Sequence, residues 1–175
     1  MGREDNNNEE KKESLEDDFT AAYDAYADAI FRYCFFKWKN REKAKDMTQE
    51  TFIRAWKMIA SGKEIQNIRA LLYRIAHNLI IDEWRKNKKD VSLEVLTDEG
   101  FQAADGPSLS PEDKFLYREA IQAVESLPED YRTVLLMRYV DDLPVKDIAD
   151  ALSESENSVS VRIHRGLKKL KSLMK

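Results

Sequence analysis

Two rows of side chains at helical spacing carry most of the recognisable chemistry in this sequence. In RIAHNLIIDEWRKNKK, residues 74–89, the row Arg74, Asn78, Ile81 and Arg85 aligns two guanidiniums, a carboxamide and an aliphatic group, with His77 and Asp82 on its flanks. Guanidinium and carboxamide groups hydrogen-bond base edges or phosphates, and an exposed isoleucine among them offers an apolar surface to an unstacked base. Near the C-terminus a second row, Asn157, Ser160, Val161, His164, Arg165 and Lys168, combines a guanidinium that can fork onto guanine with small side chains able to meet thymine methyls or other base edges. Arg162, Lys169 and Lys171 fall toward its flanks, where cations hold phosphates and set register. Taken alone, either row also fits a solvated helix face with local charge pairs.

Other chemistry finds little support. There is no glycine-rich phosphate loop, His77 and His164 lack ligand partners at useful spacing, and the many carboxylates fall on solvated helix faces. Cys34, in the apolar run IFRYCFF, has no second cysteine to pair with and reads as a buried structural thiol. No metal site, cofactor or catalytic constellation is expected, and so no enzymatic activity.

The elements that must carry the two rows are helices. Apolar residues recur three and four apart through 19–38, 41–60, 67–86, 111–126, 128–141, 144–152 and 156–173, with no convincing strand alternation. The expected fold is all-α, with two small helical domains joined by a flexible linker. A hydrophobic content of 42% over 175 residues suffices for a core in each. The boundary falls at 91–110, VSLEVLTDEGFQAADGPSLS, where glycine, proline and small polar residues break the helical pattern. Residues 1–16, polar and aperiodic, read as a disordered acidic tail. The N-terminus has no signal-peptide pattern and no apolar run is long enough to span a bilayer, so a cytoplasmic protein is expected.

Charge is segregated along the chain although the net value is only -4. Residues 91–131 hold ten acids and two bases, whereas 155–175 hold six bases against Glu156 alone, and Arg85, Lys86, Lys88 and Lys89 form another basic cluster. Two separated basic patches suit two contacts with a polyanion.

Residues 143–173 resolve into two short helices around the turn SES, a helix-turn-helix whose second helix turns Val159, Ile163, Leu167, Leu170 and Leu173 inward. The first half holds a different oddity. In AKDMTQETFIRAWKMI, residues 44–59, Phe52, Ala55, Trp56 and Ile59 make a core face, while Ile53 is stranded outside among Asp46, Gln49, Glu50 and Lys57. An apolar centre within a polar rim is a small protein interface in outline. The intervening turn SGKEIQN, 61–67, combines Gly62 for tight geometry with Lys63 for phosphate.

The segments DMTQETFIRAW, ALLYRIAHNLIIDEWRK, LPEDYRTVLLMRYVDDLPVKDIADAL and SVSVRIHRGLKKLK, in that order, resemble the bacterial extracytoplasmic-function sigma factors, over nearly everything from Phe19 to Leu173. The resemblance implies region two at 17–90 and region four at 111–175. Such proteins bind core RNA polymerase and direct it to promoters. It implies docking of Asp46, Gln49, Glu50, Ile53 and Lys57 on the clamp helices of the largest polymerase subunit. Opening and capture of the minus-ten element would fall to Lys63, Arg74, Asn78, Ile81, Asp82, Arg85 and Lys88, with Asn78 on the wall of a pocket for a flipped base. Reading of the minus-thirty-five duplex would fall to Asn157, Ser160, Val161, Arg162, His164, Arg165, Lys168 and Lys169. Further implied partners are the polymerase β flap and an anti-sigma factor. The sequence departs from the family pattern at Leu71, often Trp; at Gly62, which gives the loop no large side chain; at Ser153 and Glu154, usually Gly and an apolar residue; and at Ser160 and Val161, often a basic and a polar residue. The alternative is a stand-alone helix-turn-helix regulator that binds duplex DNA directly.

Overall fold

The structure, a computed structural model, describes residues 3–87 and 119–174, and all the regular elements among them are helical. The described chain separates into two compact units, the first containing α1 (Arg3–Trp38), α2 (Arg41–Ala60) and α3 (Ile68–Asn87). The second contains α4 (119–125), α5 (Glu129–Leu135), most of α6 (Val145–Leu152), and α7 (Glu156–Leu173). The linker expected at 91–110, and Lys88 with it, lie outside the described residues.

In the first unit α2 buries Ala44, Met47, Thr48, Thr51, Phe52 and Ala55, a stripe of three-and-four spacing that faces its neighbours. The two threonines lie in that stripe without orphaned hydroxyls, because their Oγ1 atoms donate to the carbonyls of Ala44 and Met47, each at 2.7 Å. Asn40 starts α2, its side chain accepting from the Lys43 amide at 2.9 Å. Glu42, in the first turn, is held below the usual carboxylate range, chiefly by its hydrogen bond from Lys45. The helix closes where the amides of Gly62 and Lys63 bond back to the carbonyls of Ile59 and Met58, with Gly62 at φ +81°. That left-handed closure is one glycine adopts without a Cβ penalty. The α1 and α3 sides of the core meet at Tyr33 and Tyr73, edge to face at 5.4 Å, above fully buried Ile30, Leu72 and Ile80. Cys34 is buried there, as its apolar context suggests.

Helix α1, expected over 19–38, extends back to Arg3, into the segment read as a disordered acidic tail at 1–16. Glutamate and lysine, abundant there, are good helix formers, and a helix already nucleated by a packed segment extends at little cost.

The second unit closes around Val134, Leu136, Met137, Leu143, Ile148 and Val159, all essentially inaccessible. The helix expected across 128–141 is α-helical only to Leu135, and Leu136–Val140 then form a π-helical turn. Its register shift shows in the Asp141 amide, which reaches the Leu136 carbonyl at 3.1 Å. Gly166 lets α7 approach α5 closely, because a Cβ there would sit 3.2 Å from Leu135 Cδ1 and 3.3 Å from Tyr131 Cβ. The inward line of α7 is therefore Val159, Ile163 and Gly166, with Leu167 and Leu170 half-buried. Leu173, expected inside, is exposed near the helix end.

Helix α6 ends as α2 does, the Ser153 and Glu154 amides bonding back to Asp150 and Ala149, but here Ser153 occupies the left-handed position at φ +57°. A Cβ in that conformation costs about 1–2 kcal/mol, offset by about 0.4–1 kcal/mol through the greater entropy of an unfolded glycine. Ser153→Gly is therefore expected to stabilise the protein by about 0.5–1 kcal/mol, measured as a higher urea midpoint with unchanged m-value.

Candidate nucleic-acid and protein interfaces

Three surfaces follow from the faces these helices leave outside. On α2, opposite the stripe from Ala44 to Ala55, Ile53 is 47% exposed. Asp46, Gln49 and Lys57 are exposed around it, and Glu50, half-buried, accepts from Arg54 Nε at 2.6 Å. Tyr23 of α1 is also exposed, its ring 4.8 Å from Phe52 of the buried stripe.

On α3, Arg74, Asn78, Asp82 and Arg85 are exposed along one side, while Ala70, Leu72, Tyr73, Ala76 and Ile80 are buried on the other. Ile81, expected to be exposed, is half-buried, so the row offers a partly sunken apolar floor. Arg85 and Asp82 sit 3.9 Å apart with both side chains largely in water, a contact of little strength. His77 on the flank shares a 2.9 Å hydrogen bond with the buried Tyr33 hydroxyl, so its ring braces α3 against α1. Asn67 caps the helix start through the Ala70 amide at 2.9 Å, and Lys63 is exposed just upstream.

On α7, Asn157, Ser160, Val161, His164, Arg165, Lys168 and Lys169 are all exposed, with Val161 at 40%. Ser155 caps the helix by accepting from the Ser158 amide at 3.1 Å. One side of the row borders an open groove of about 620 Å³, whose opposite wall carries Tyr131 and Asp130 of α5. Periodicity within α7 does not point to that wall.

Arg162, expected to hold a phosphate, has a partner within the protein. Its Nη1 and Nη2 donate to Glu154 Oε1 and Oε2 at 2.9 and 2.7 Å, and the Ser158 hydroxyl donates to the same Oε2 at 2.9 Å. The pair spans the turn before α7, which helical spacing does not connect. Among the described residues no group of three or more His, Cys, Asp or Glu side chains converges as a metal site, and no described helix is long and apolar enough to cross a membrane.

Comparison with known proteins agrees with this division. Residues 22–90 match the model for sigma-70 region 2, and residues 117–170 that for sigma-70 region 4. The chain is 35% identical to the ECF RNA polymerase sigma factor SigW of Bacillus subtilis, over 94% of this chain and 92% of the relative. It is 30% identical to YlaC of the same organism, described as an RNA polymerase sigma factor, over 93% of each. Among solved structures, the sigma factor RpoE bound to the anti-sigma factor NepR, from Bartonella quintana, superposes with a TM-score of 0.70 at 19% identity, covering 90% of this chain and 96% of that one. CnrH in complex with the cytosolic domain of CnrY gives 0.64 at 19% identity, covering 89% and 86%.

The brace behind α3 can be tested directly. Tyr33→Phe removes the hydroxyl that His77 meets, and should lower unfolding free energy by about 0.5–1.5 kcal/mol in urea titration while leaving the helical circular dichroism unchanged.

Proposed function

This chain belongs to the sigma-70 family, among the extracytoplasmic-function sigma factors, and from that premise we propose that it is the subunit that tells RNA polymerase where to start. The polymerase would supply the chemistry, and this chain the choice of promoter. The observation that carries the reading is the pairing of two nucleic-acid-type rows with one apolar-centred face: α7 presents a helix-turn-helix row to water, α3 a separate row around Asn78, and α2 a stranded Ile53.

Each row suits a different state of DNA. A major groove admits a single helix, so α7 would enter an intact minus-thirty-five duplex with Ser160, Val161, His164 and Arg165 toward base edges. Asn157, Lys168 and Lys169 would lie on or beside that face and help hold the backbone. The α3 row mixes amide, guanidinium and half-sunken isoleucine, which suits bases already out of the stack; Lys63, Arg74, Asn78, Ile81, Asp82 and Arg85 would surround the minus-ten strand. Opening DNA costs about 1.4 kcal/mol per stacking step. Capturing one unstacked base returns roughly 1–3 kcal/mol, so two or three captured bases offset a meaningful part of the melting.

The face around Ile53, with Asp46, Gln49, Glu50 and Lys57, would dock on the clamp helices of the polymerase's largest subunit, and the second unit on its β flap. An anti-sigma factor is a further proposed partner, supported by the RpoE–NepR neighbour. Run-off transcription with purified core polymerase and genomic templates, followed by start-site mapping, tests the whole reading. Discrete starts that depend on the chain are expected. Tight binding of duplex DNA by the isolated chain, with no starts, would favour a stand-alone regulator.

Two substitutions separate the surfaces. Ile53→Asp should abolish co-purification with core polymerase while the melting temperature stays within about 2 °C, as expected for an exposed side chain; retained co-purification would put the docking face elsewhere. Asn78→Ala should reduce open-complex formation on duplex promoter about tenfold or more while affecting binding to a pre-melted template less. Equal defects on both templates would remove Asn78 from the opening step.

A further inference from the structure

Helix α7 carries five cations, Arg162, Arg165, Lys168, Lys169 and Lys171, but they do not stand in equivalent surroundings. Arg165, Lys168, Lys169 and Lys171 are exposed. The Arg162 and Glu154 side chains are only 24% and 28% exposed, and the guanidinium meets the carboxylate through two bonds. Two parallel N–H···O contacts of this kind fix orientation as well as charge. The carboxylate is itself anchored, since the Glu154 amide bonds to the Ala149 carbonyl at 2.9 Å and the Ser158 hydroxyl occupies Oε2. At this position after a helix end an apolar residue commonly packs back on the helix. Here the side chain instead turns to the reading helix.

We propose that Glu154 is a specificity-determining residue that withholds Arg162 from the DNA backbone. At 100° per residue Arg162 sits at the edge of the α7 face, beside Ser158 and Lys169, where an unpaired cation would reach a phosphate. A phosphate contact there would add affinity for every sequence alike, and so lower the ratio of specific to non-specific binding. The Glu154 fork removes that contact and fixes the rotation of α7 relative to the turn, so discrimination rests on the base-facing row and Arg165. This inference rests on α7 being the duplex reader.

The test uses holoenzyme assembled from full-length chain and core polymerase. The probes are a duplex carrying an upstream element located by start-site mapping and the same duplex with that element scrambled. Binding is measured from 0.05 to 0.3 M KCl. Glu154→Ala should steepen the slope of log Kobs against log [KCl] by about 0.9, the increment for one added phosphate contact. It should also raise scrambled-duplex binding several-fold and lower the specificity ratio. Arg162→Met, which keeps the aliphatic stem, should leave the slope unchanged, and the double variant should return to the wild-type slope. A slope made shallower by about 0.9 in Arg162→Met would show that Arg162 already holds a phosphate, and would overturn the proposal. So would an unchanged slope and ratio in a folded Glu154→Ala. If Glu154→Ala fails to fold, Glu154→Gln with Arg162→Met decides between the same outcomes. Arg165→Ala and Lys168→Ala serve as the control on the underlying reading: if neither weakens promoter binding, α7 is not the reader, whereas loss in both with a shallower Arg162→Met slope removes only the role of Glu154.

Discussion

A helix that gives one stripe to a core must leave the opposite stripe in water, and every surface here assigned to a partner is such a remaining stripe. On α2 the buried line from Ala44 to Ala55 dictates that Ile53 points away from it. On α3 the burial of Leu72, Ala76 and Ile80 turns Asn78 and Arg85 outward. On α7 the close approach at Gly166, together with Val159 and Ile163, sets which residues remain to face a groove. Repacking any of these cores would rotate an outward face before it removed a single residue proposed to act there.

The cores are small, so their details matter. Fully burying one large aliphatic side chain contributes about 1.5–3 kcal/mol, and a small domain retains only a modest surplus after conformational entropy is offset. In the first unit that margin depends on threonine hydroxyls satisfied within their own helix and on the Tyr33–His77 brace behind α3. In the second it depends on an α5 that changes to π register after Leu135, and the turn after α6 tolerates a strained Ser153. The same turn carries Glu154, whose carboxylate reaches into α7, so the structure that ends one helix also conditions the next.

The all-helical, two-part architecture was legible because three-and-four periodicity and the tight turn around Gly62 are local signals. The outward positions of Asn78, Ile53 and Arg165 were legible for the same reason. What was not legible depends on neighbours. The sinking of Ile81 and the exposure of Leu173 are set by how helices cross. The Arg162–Glu154 pair joins residues eight apart through a turn, which in one continuous helix would stand about 12 Å apart along the axis. The π-helical turn leaves the apolar pattern almost unchanged while shifting its register, so spacing alone reads it as continuous helix.

The central claim is that this chain holds an intact groove and separated strands at different sites, and does so only as part of the polymerase. Permanganate reactivity of thymines around a mapped start site measures that most directly. With core polymerase and this chain together, thymines near the minus-ten element should become reactive while the minus-thirty-five region stays paired and protected, and neither component alone should produce the pattern. Thymines that stay unreactive in the assembled holoenzyme, or a footprint of the isolated chain on duplex DNA as strong as that of the mixture, would contradict it.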